Sequence, residues 1–272
     1  MIALAEKTKR AASSWTPGHI SPSAAKSYLG CSLRFFFERI ARIAKPTSAS
    51  LQLGKAVHAA LQQFHLARWR EGDTSLQAVL GDFDLAFIEL EEAEGPVQWP
   101  DASSREKARE AGRRMLEAYA GSKQLAAAKP RGVEVRLTAE IDGLDVPLTG
   151  VIDLVEESLT PVDFKTAASK PDPEQAAFDH ELQLVTYQLL IEESSGVTPP
   201  SLDLIHLVKT KTPQVIRIQS RPADRQRKSR VVALLQTAVE GISESRFHPQ
   251  PGMHCSWCQY REECMAWTGG AP

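Results

Sequence analysis

The chain has 272 residues, 42% of them apolar and 24% charged, which excludes an intrinsically disordered protein and leaves room for one large domain. A formal net charge of −2 gives no overall attraction to nucleic acid, so any such partner must be argued from local groups. The longest apolar runs, such as Val231–Leu235, fall far short of a bilayer span, and no signal-length apolar core follows Lys7, Lys9 and Arg10; a cytoplasmic protein without a membrane segment is expected.

Residues 1–19 show weak periodicity and read as a loose leader. Ser21 and Pro22 suit the cap and first turn of a helix, which the apolar positions Tyr28, Leu29, Phe35, Phe36 and Ile40 extend to Ile40. Pro46-Thr47-Ser48 breaks the pattern, and a second helix is predicted over about residues 54–69 on Val57, Leu61, Phe64 and Leu66. Two more helices follow over 73–94 and 102–121, parted by the turn signals Gly95-Pro96 and Trp99-Pro100.

The middle of the chain is rich in strand signals. Val133-Glu134-Val135-Arg136-Leu137 alternates, and 146–155 and 160–166 are two further strands. A helix over 178–193, strands at 202–208 and 214–218, and a helix over 224–243 complete an α/β core with one mixed sheet. Arg221, Arg225, Arg227, Lys228 and Arg230 form a basic run, which suits a wall for phosphates and equally a solvated helix face.

The chemistry concentrates in Gly150-Val151-Ile152-Asp153-Leu154 and Pro161-Val162-Asp163-Phe164-Lys165. On a strand, Asp163 and Lys165 share one face while Val162 and Phe164 point into the core. Asp153 joins them if it lies opposite Asp163 in an antiparallel hairpin, a register that requires an odd-length loop around Ser158 or a bulge. Two carboxylates bind a hard divalent cation through oxygen, and the lysine can position water or neutralise charge on a phosphate. In isolation an Asp-x-Lys is a common surface pattern, so its meaning depends on what accompanies it.

Several separated segments resemble the PD-(D/E)XK nuclease superfamily, in its RecB-like branch. Ser21-Pro22-Ser23 through Phe35 is similar to the opening helix with its cysteine and aromatic, although Ser32 stands where relatives carry proline. Gly54-Lys55-Ala56-Val57-His58 resembles the G-x-x-x-H helix, Asp153 and Asp163-Phe164-Lys165 the metal and lysine motifs, and Gln183-Leu184-Val185-Thr186-Tyr187 the Q-x-x-x-Y helix. Glu134 stands where relatives carry a strand glutamate. The resemblance implies a restriction-endonuclease-like α/β core, a central mixed sheet flanked by helices, with an N-terminal helical block and a cysteine-ligated C-terminal tail. It implies Mg2+ or Mn2+ held by His58, Asp153, Asp163 and the Phe164 carbonyl, with Lys165, Gln183 and Tyr187 completing the catalytic set. The expected organisation is one nuclease domain over 20–272, with a helical block at about 54–121, a catalytic core at about 131–244 and a tail at 245–272.

Four cysteines are unevenly spread: Cys31 alone, then Cys255, Cys258 and Cys264. In a cytoplasmic protein they point to a metal or cluster rather than to disulfides. Cys255-x-x-Cys258, five intervening residues and then Cys264 resembles the C-terminal iron–sulfur motif of the same branch, with Cys31 as remote ligand. Four thiolates suit a 4Fe–4S cluster or tetrahedral zinc, and the resemblance favours iron–sulfur. Such a link from residue 31 to residue 255 would restrict the unfolded chain by about 5 kcal/mol.

The reading that follows is a metal-dependent DNA exonuclease acting on single-stranded ends, in DNA repair, recombination or CRISPR adaptation. A helicase or a CRISPR integrase would be its partner, because the sequence carries no phosphate-loop motif of its own. The alternative is a catalytically silent DNA-binding scaffold subunit of a helicase–nuclease complex.

Overall fold

A computed structural model describes residues 17–127 and 129–269. The leader expected over residues 1–19 lies outside the described residues through residue 16, as do residues 270–272 of the tail. In chain order the first elements are α1 (Pro22–Gly30), α2 (Ser32–Phe35) with a π-turn at Phe36–Ile40, β1 (Thr47–Ser48), α3 (Ala49–Trp69) and α4 (Leu76–Glu94). Next come β2 (Val97–Gln98), α5 (Ser104–Ala120), α6 (Lys123–Ala126), β3 (Pro130–Ala139), β4 (Leu148–Glu156) and β5 (Pro161–Ala167). The remainder are α7 (Pro173–Asp179), α8 (Glu181–Ser195), β6 (Leu202–Val208), β7 (Gln214–Ser220), α9 (Arg225–Ser243), a 3-10 turn at Met253–Trp257 and α10 (Arg261–Ala266). No helix among the described residues is long and apolar enough to cross a membrane.

The described elements divide into two compact units interleaved along the sequence: one within 46–137 and 151–222, the other within 17–45, 138–150 and 223–269. The sheet order is β3-β4-β5-β6-β7, with β4 antiparallel to β5, β5 parallel to β6, and β6 antiparallel to β7, so the sheet is mixed as expected. In the 46–137/151–222 unit, Leu53, Val57, Leu61 and Phe64 of α3 pack with Phe83 and Phe87 of α4 and Met115 and Leu116 of α5. They cover Leu154, Val162, Phe164, Ile205 and Leu207 of the sheet. Leu184 and Ala176 pack with Leu202, Leu204 and Ile218, while Tyr187 and Ile191 pack with Ile152 and Val155. Burying each such large side chain contributes about 1.5–3 kcal/mol, which fixes the strand parity that faces the site residues away from the α3–α5 core.

Three helices depart from the sequence expectation. The opening helix does not run to Ile40, because Cys31 is extended at φ −167° and ends α1. The Ser32 N–H then donates to Gln250 Oε1 at 2.8 Å and the Leu33 N–H to the His248 carbonyl at 3.1 Å, so tail residues replace the helical ladder. The helix expected over 178–193 is two helices, since Asp172 caps a separate α7 that starts at Pro173 and stops at His180. By contrast, α3 starts earlier than expected because Ser48 caps it, its side chain accepting the Leu51 N–H. Thr47 and Ser48, read as a plain break, pair in parallel with Val97 and Gln98.

Candidate active site and cysteine site

The hairpin between β4 and β5 sets the site. Its register pairs Leu154 with Val162 and Val155 with Pro161, and one further step puts Asp153 across from Asp163, as the residue pattern required. The loop is odd in length: the Glu156 N–H bonds to the Thr160 carbonyl around Glu157-Ser158-Leu159, with Leu159 left-handed at φ 69°. Beyond Leu154 the ladder changes partner, for the Phe164 N–H donates 2.8 Å to Asp153 Oδ2 instead of to a backbone carbonyl. The carboxylate of Asp153 is thereby fixed by the strand that carries Asp163 and Lys165.

Lys165, Asp163, Gln183 and Tyr187 form one hydrogen-bonded knot. Lys165 Nζ lies 2.7 Å from Asp163 Oδ2 and donates to Gln183 Oε1 at 3.1 Å. Gln183 Nε2 donates to Asp163 Oδ1 and to the Tyr187 hydroxyl, each at 2.7 Å, and the Tyr187 hydroxyl lies 3.4 Å from Asp163 Oδ1. Gln183 and Tyr187 meet because positions four apart share one face of α8. From α3, His58 Nδ1 reaches within 3.4 Å of Asp153 Oδ2, and its ring stands edge-on to Phe164.

Crowded acids mark the electrostatics. Burial pushes the Asp163 carboxyl up from its usual range; the Asp153 charge adds to this and Lys165 opposes it. Burial pulls His58 down, but the neighbouring Asp153 and Asp163 outweigh it and the imidazole is raised overall. Burial and the proximity of Asp163 also raise the Tyr187 phenol, which is therefore a neutral hydrogen-bonding group. The excess of negative charge favours a cation.

Glu134, without an assigned role in the metal or catalytic set, belongs to this neighbourhood. Burial raises its carboxyl, and Asp153, His58 and Asp163 all act on it. It sits at φ 51° inside β3, a left-handed backbone that departs from regular strand geometry. Glu134 and His58 line a cavity of 470 Å3 together with Lys55, Gln62 and Thr166. The simple alternation of 133–137 hid this; the signal available was Gly132, where a Cβ would collide with Val135.

Among the described residues no three His, Cys, Asp or Glu side chains form a ready-made cage for an ion. In this arrangement Lys165 contacts Asp163 Oδ2 and the Phe164 N–H bonds to Asp153 Oδ2. The donor set nonetheless fits a hard divalent cation: two carboxylates from adjacent strands and one imidazole already 3.4 Å from the Asp153 carboxylate.

The cysteines meet in the other unit. Cys31, Cys255, Cys258 and Cys264 line one cavity of 380 Å3, with Leu33 and Tyr260 among its walls. Burial raises the Cys264 thiol, and the negative charges of Cys31, Cys258 and Cys255 raise it further, so the four sulfurs share one local field. The corner is assembled by Tyr28 donating to the Arg246 carbonyl at 2.8 Å, Tyr260 to the Ile43 carbonyl at 3.2 Å, and the ion pair of Lys45 with Glu263 at 2.7 Å. Four thiols around one cavity fit a four-thiolate group, though they are not drawn to ligating distance of one another as a preformed cage.

A mixed sheet that carries two facing aspartates and a lysine at the end of a hairpin defines a strand-borne carboxylate–lysine protein of nuclease type. The profile of the PD-(D/E)XK nuclease superfamily matches residues 19–265, and the chain belongs to that superfamily. Among solved structures it is similar to a candidate exonuclease from Eubacterium rectale, with a TM-score of 0.58 and 14% identity over 94% of this chain and 90% of that one. At that identity the likeness concerns the fold. The protein SSO0001 aligns over 98% of this chain and 96% of its own at a TM-score of 0.40 and 14% identity, too low to carry an argument. None of the curated proteins matches the chain.

Proposed function

We propose that this protein is a divalent-metal-dependent deoxyribonuclease of the RecB-like branch, an exonuclease hydrolysing phosphodiester bonds from single-stranded ends. The observation that carries the reading is the knot of Asp163, Lys165, Gln183 and Tyr187, joined at 2.7–3.4 Å and standing across the hairpin from Asp153 and His58. Asp153, Asp163, His58 and the Phe164 carbonyl hold Mg2+ or Mn2+ in this proposal. When bound, the ion polarises the phosphodiester and makes the attacking water more acidic. Lys165 orients that water and neutralises charge growing on the phosphate. Without the ion, Gln183 holds the lysine and the carboxylate in one geometry through both ends of its amide, and Tyr187 anchors Gln183.

The four cysteines hold a 4Fe–4S cluster in the same proposal, with a structural and not a redox duty, since hydrolysis moves no electrons. The shared cavity and mutual electrostatic effect of the thiols support this. Four free thiols suit a reducing compartment, the cytoplasm. A helicase or CRISPR integrase partner would supply the single-stranded end.

The test incubates 5′- and 3′-labelled single-stranded DNA with Mn2+ and the wild type, Asp163→Ala or Lys165→Ala. Wild-type degradation with a loss of at least about 100-fold in each variant is expected. Degradation that both variants retain overturns the site assignment, and a wild type inert on DNA overturns the activity.

A further inference from the structure

The parallel pairing of β5 with β6 sets Lys165 beside His206, so both side chains leave the same face of the sheet from strands about 5 Å apart. His206 is 5% exposed, and neither ring nitrogen has a hydrogen-bond partner. Around it the same face holds Leu204, Ile218 and Leu184, where an apolar side chain would pack without loss. A buried ring whose nitrogens bond to nothing is destabilising, so its retention calls for a second state in which one of them is used.

Lys165 is the group that must change partner. Its ammonium rests on Asp163 Oδ2 at 2.7 Å and Gln183 Oε1 at 3.1 Å. A divalent cation on Asp163 would bring a second positive charge onto one buried carboxylate, and two cations there repel strongly at low effective dielectric. The ammonium must then let go of Asp163, and on a side chain only 25% exposed it gains from an acceptor beside it on the same face.

We propose that His206 is the second berth of Lys165: when a divalent cation occupies Asp163, the ammonium moves to a ring nitrogen of His206. A neutral imidazole offers one acceptor nitrogen for this bond. Burial first, and then the charge of Lys165, hold the His206 ring below its ordinary range, which keeps it neutral. The His180 ring, edge-on at a centroid distance of 6.3 Å, closes one side of the berth. His206 is thus a positioning residue that acts through Lys165, and the inference rests on the metal site proposed above.

The test uses Mg2+ alone as probe on the full chain, read by calorimetry and by nitrogen resonances of labelled histidines. Mg2+ should shift the His206 ring nitrogens in wild type but not in Lys165→Met. His206→Phe should weaken Mg2+ binding about tenfold, the worth of a hydrogen bond to a charged group. His206→Gln, which keeps an acceptor, should recover most of that loss. In a Lys165→Met background, His206→Phe should change Mg2+ affinity no further. Wild-type Mg2+ binding that His206→Phe leaves intact, or a loss that persists without Lys165, overturns the berth alone. A wild type that binds neither Mg2+ nor Mn2+ overturns the metal site and the berth with it.

Discussion

The carboxylate–lysine knot and the cysteine corner are built in opposite ways. In the knot, Asp163, Lys165, Gln183 and Tyr187 satisfy one another at 2.7–3.4 Å, and Phe164 fixes Asp153 through its backbone. In the corner, the four thiols line a cavity, and the one sulfur contact that stands out is a long one from the Gly252 N–H to Cys255 Sγ at 3.5 Å. The first is organised by protein hydrogen bonds, so an arriving ion has to displace internal partners. The second is held by the elements around it, so a bound group would add order that its side chains lack. Loss of a ligand should therefore cost chemistry in the knot and stability in the corner.

The largest expected effect tests that contrast directly. On the proposed cluster, Cys255→Ala should lower stability by several kcal/mol, since it would open a closure of the chain from residue 31 worth about 5 kcal/mol plus ligation energy. Melting of anaerobically purified protein, followed with the broad visible absorbance of iron–sulfur, measures both losses together. A colourless variant that melts like wild type would break the comparison, and colourless wild type holding zinc would replace the cluster while keeping the staple.

A smaller effect sharpens the distinction between the units. In the 46–137/151–222 unit, a Cβ at Gly112 of α5 would overlap the ring of Phe83, which is fully buried. In the other, a Cβ at Gly241 of α9 would overlap the Tyr28 hydroxyl, which is committed to the Arg246 carbonyl. Overpacking of this kind costs about 1–3 kcal/mol, against a gain of about 1 kcal/mol for alanine over glycine in a helix. Gly112→Ala should depress Mg2+ binding more than visible absorbance, and Gly241→Ala the reverse, with Tyr28→Phe recovering part of the second loss. Equal shifts of both signals in both variants would mean that the chain melts as one cooperative whole.

Legibility in the sequence followed the locality of the cause. The hairpin register was readable because alternation at Val162-Asp163-Phe164-Lys165 leaves one parity for the core, and a one-residue slip would bury the charges. Ser21 announced its helix by a side chain that caps at short range. The break at Cys31 was not readable, since its cause is the pairing of Ser32 and Leu33 with Gln250 and His248 more than two hundred positions away. Glu134 was legible only through the family resemblance, because its left-handed backbone inside β3 leaves the alternating residue pattern around it intact. His206 reads as one polar residue in an apolar strand, and only the parallel pairing with β5 gives it Lys165 as a neighbour.

The smallest effect concerns pH and the knot's dependence on internal partners. His58 is raised above its ordinary value of 6.5 despite burial, because Asp153 and Asp163 favour its charged form. The folded chain therefore holds this proton more tightly than the unfolded one. The resulting stability is fully present below pH 6.5 and is lost as pH rises through the raised value. Wild type minus His58→Gln stability should thus shrink from about pH 5.5 to about pH 8.5 in metal-free buffer. Asp163 is raised as well, but it is present in both proteins, so most of its contribution cancels in the difference. Mg2+ should flatten the slope, because an ion shared by Asp153 and His58 competes with the imidazole proton. A slope that the substitution leaves unchanged would detach His58 from Asp153, and a slope that Mg2+ leaves unchanged would remove His58 from the metal site while keeping its ion pair.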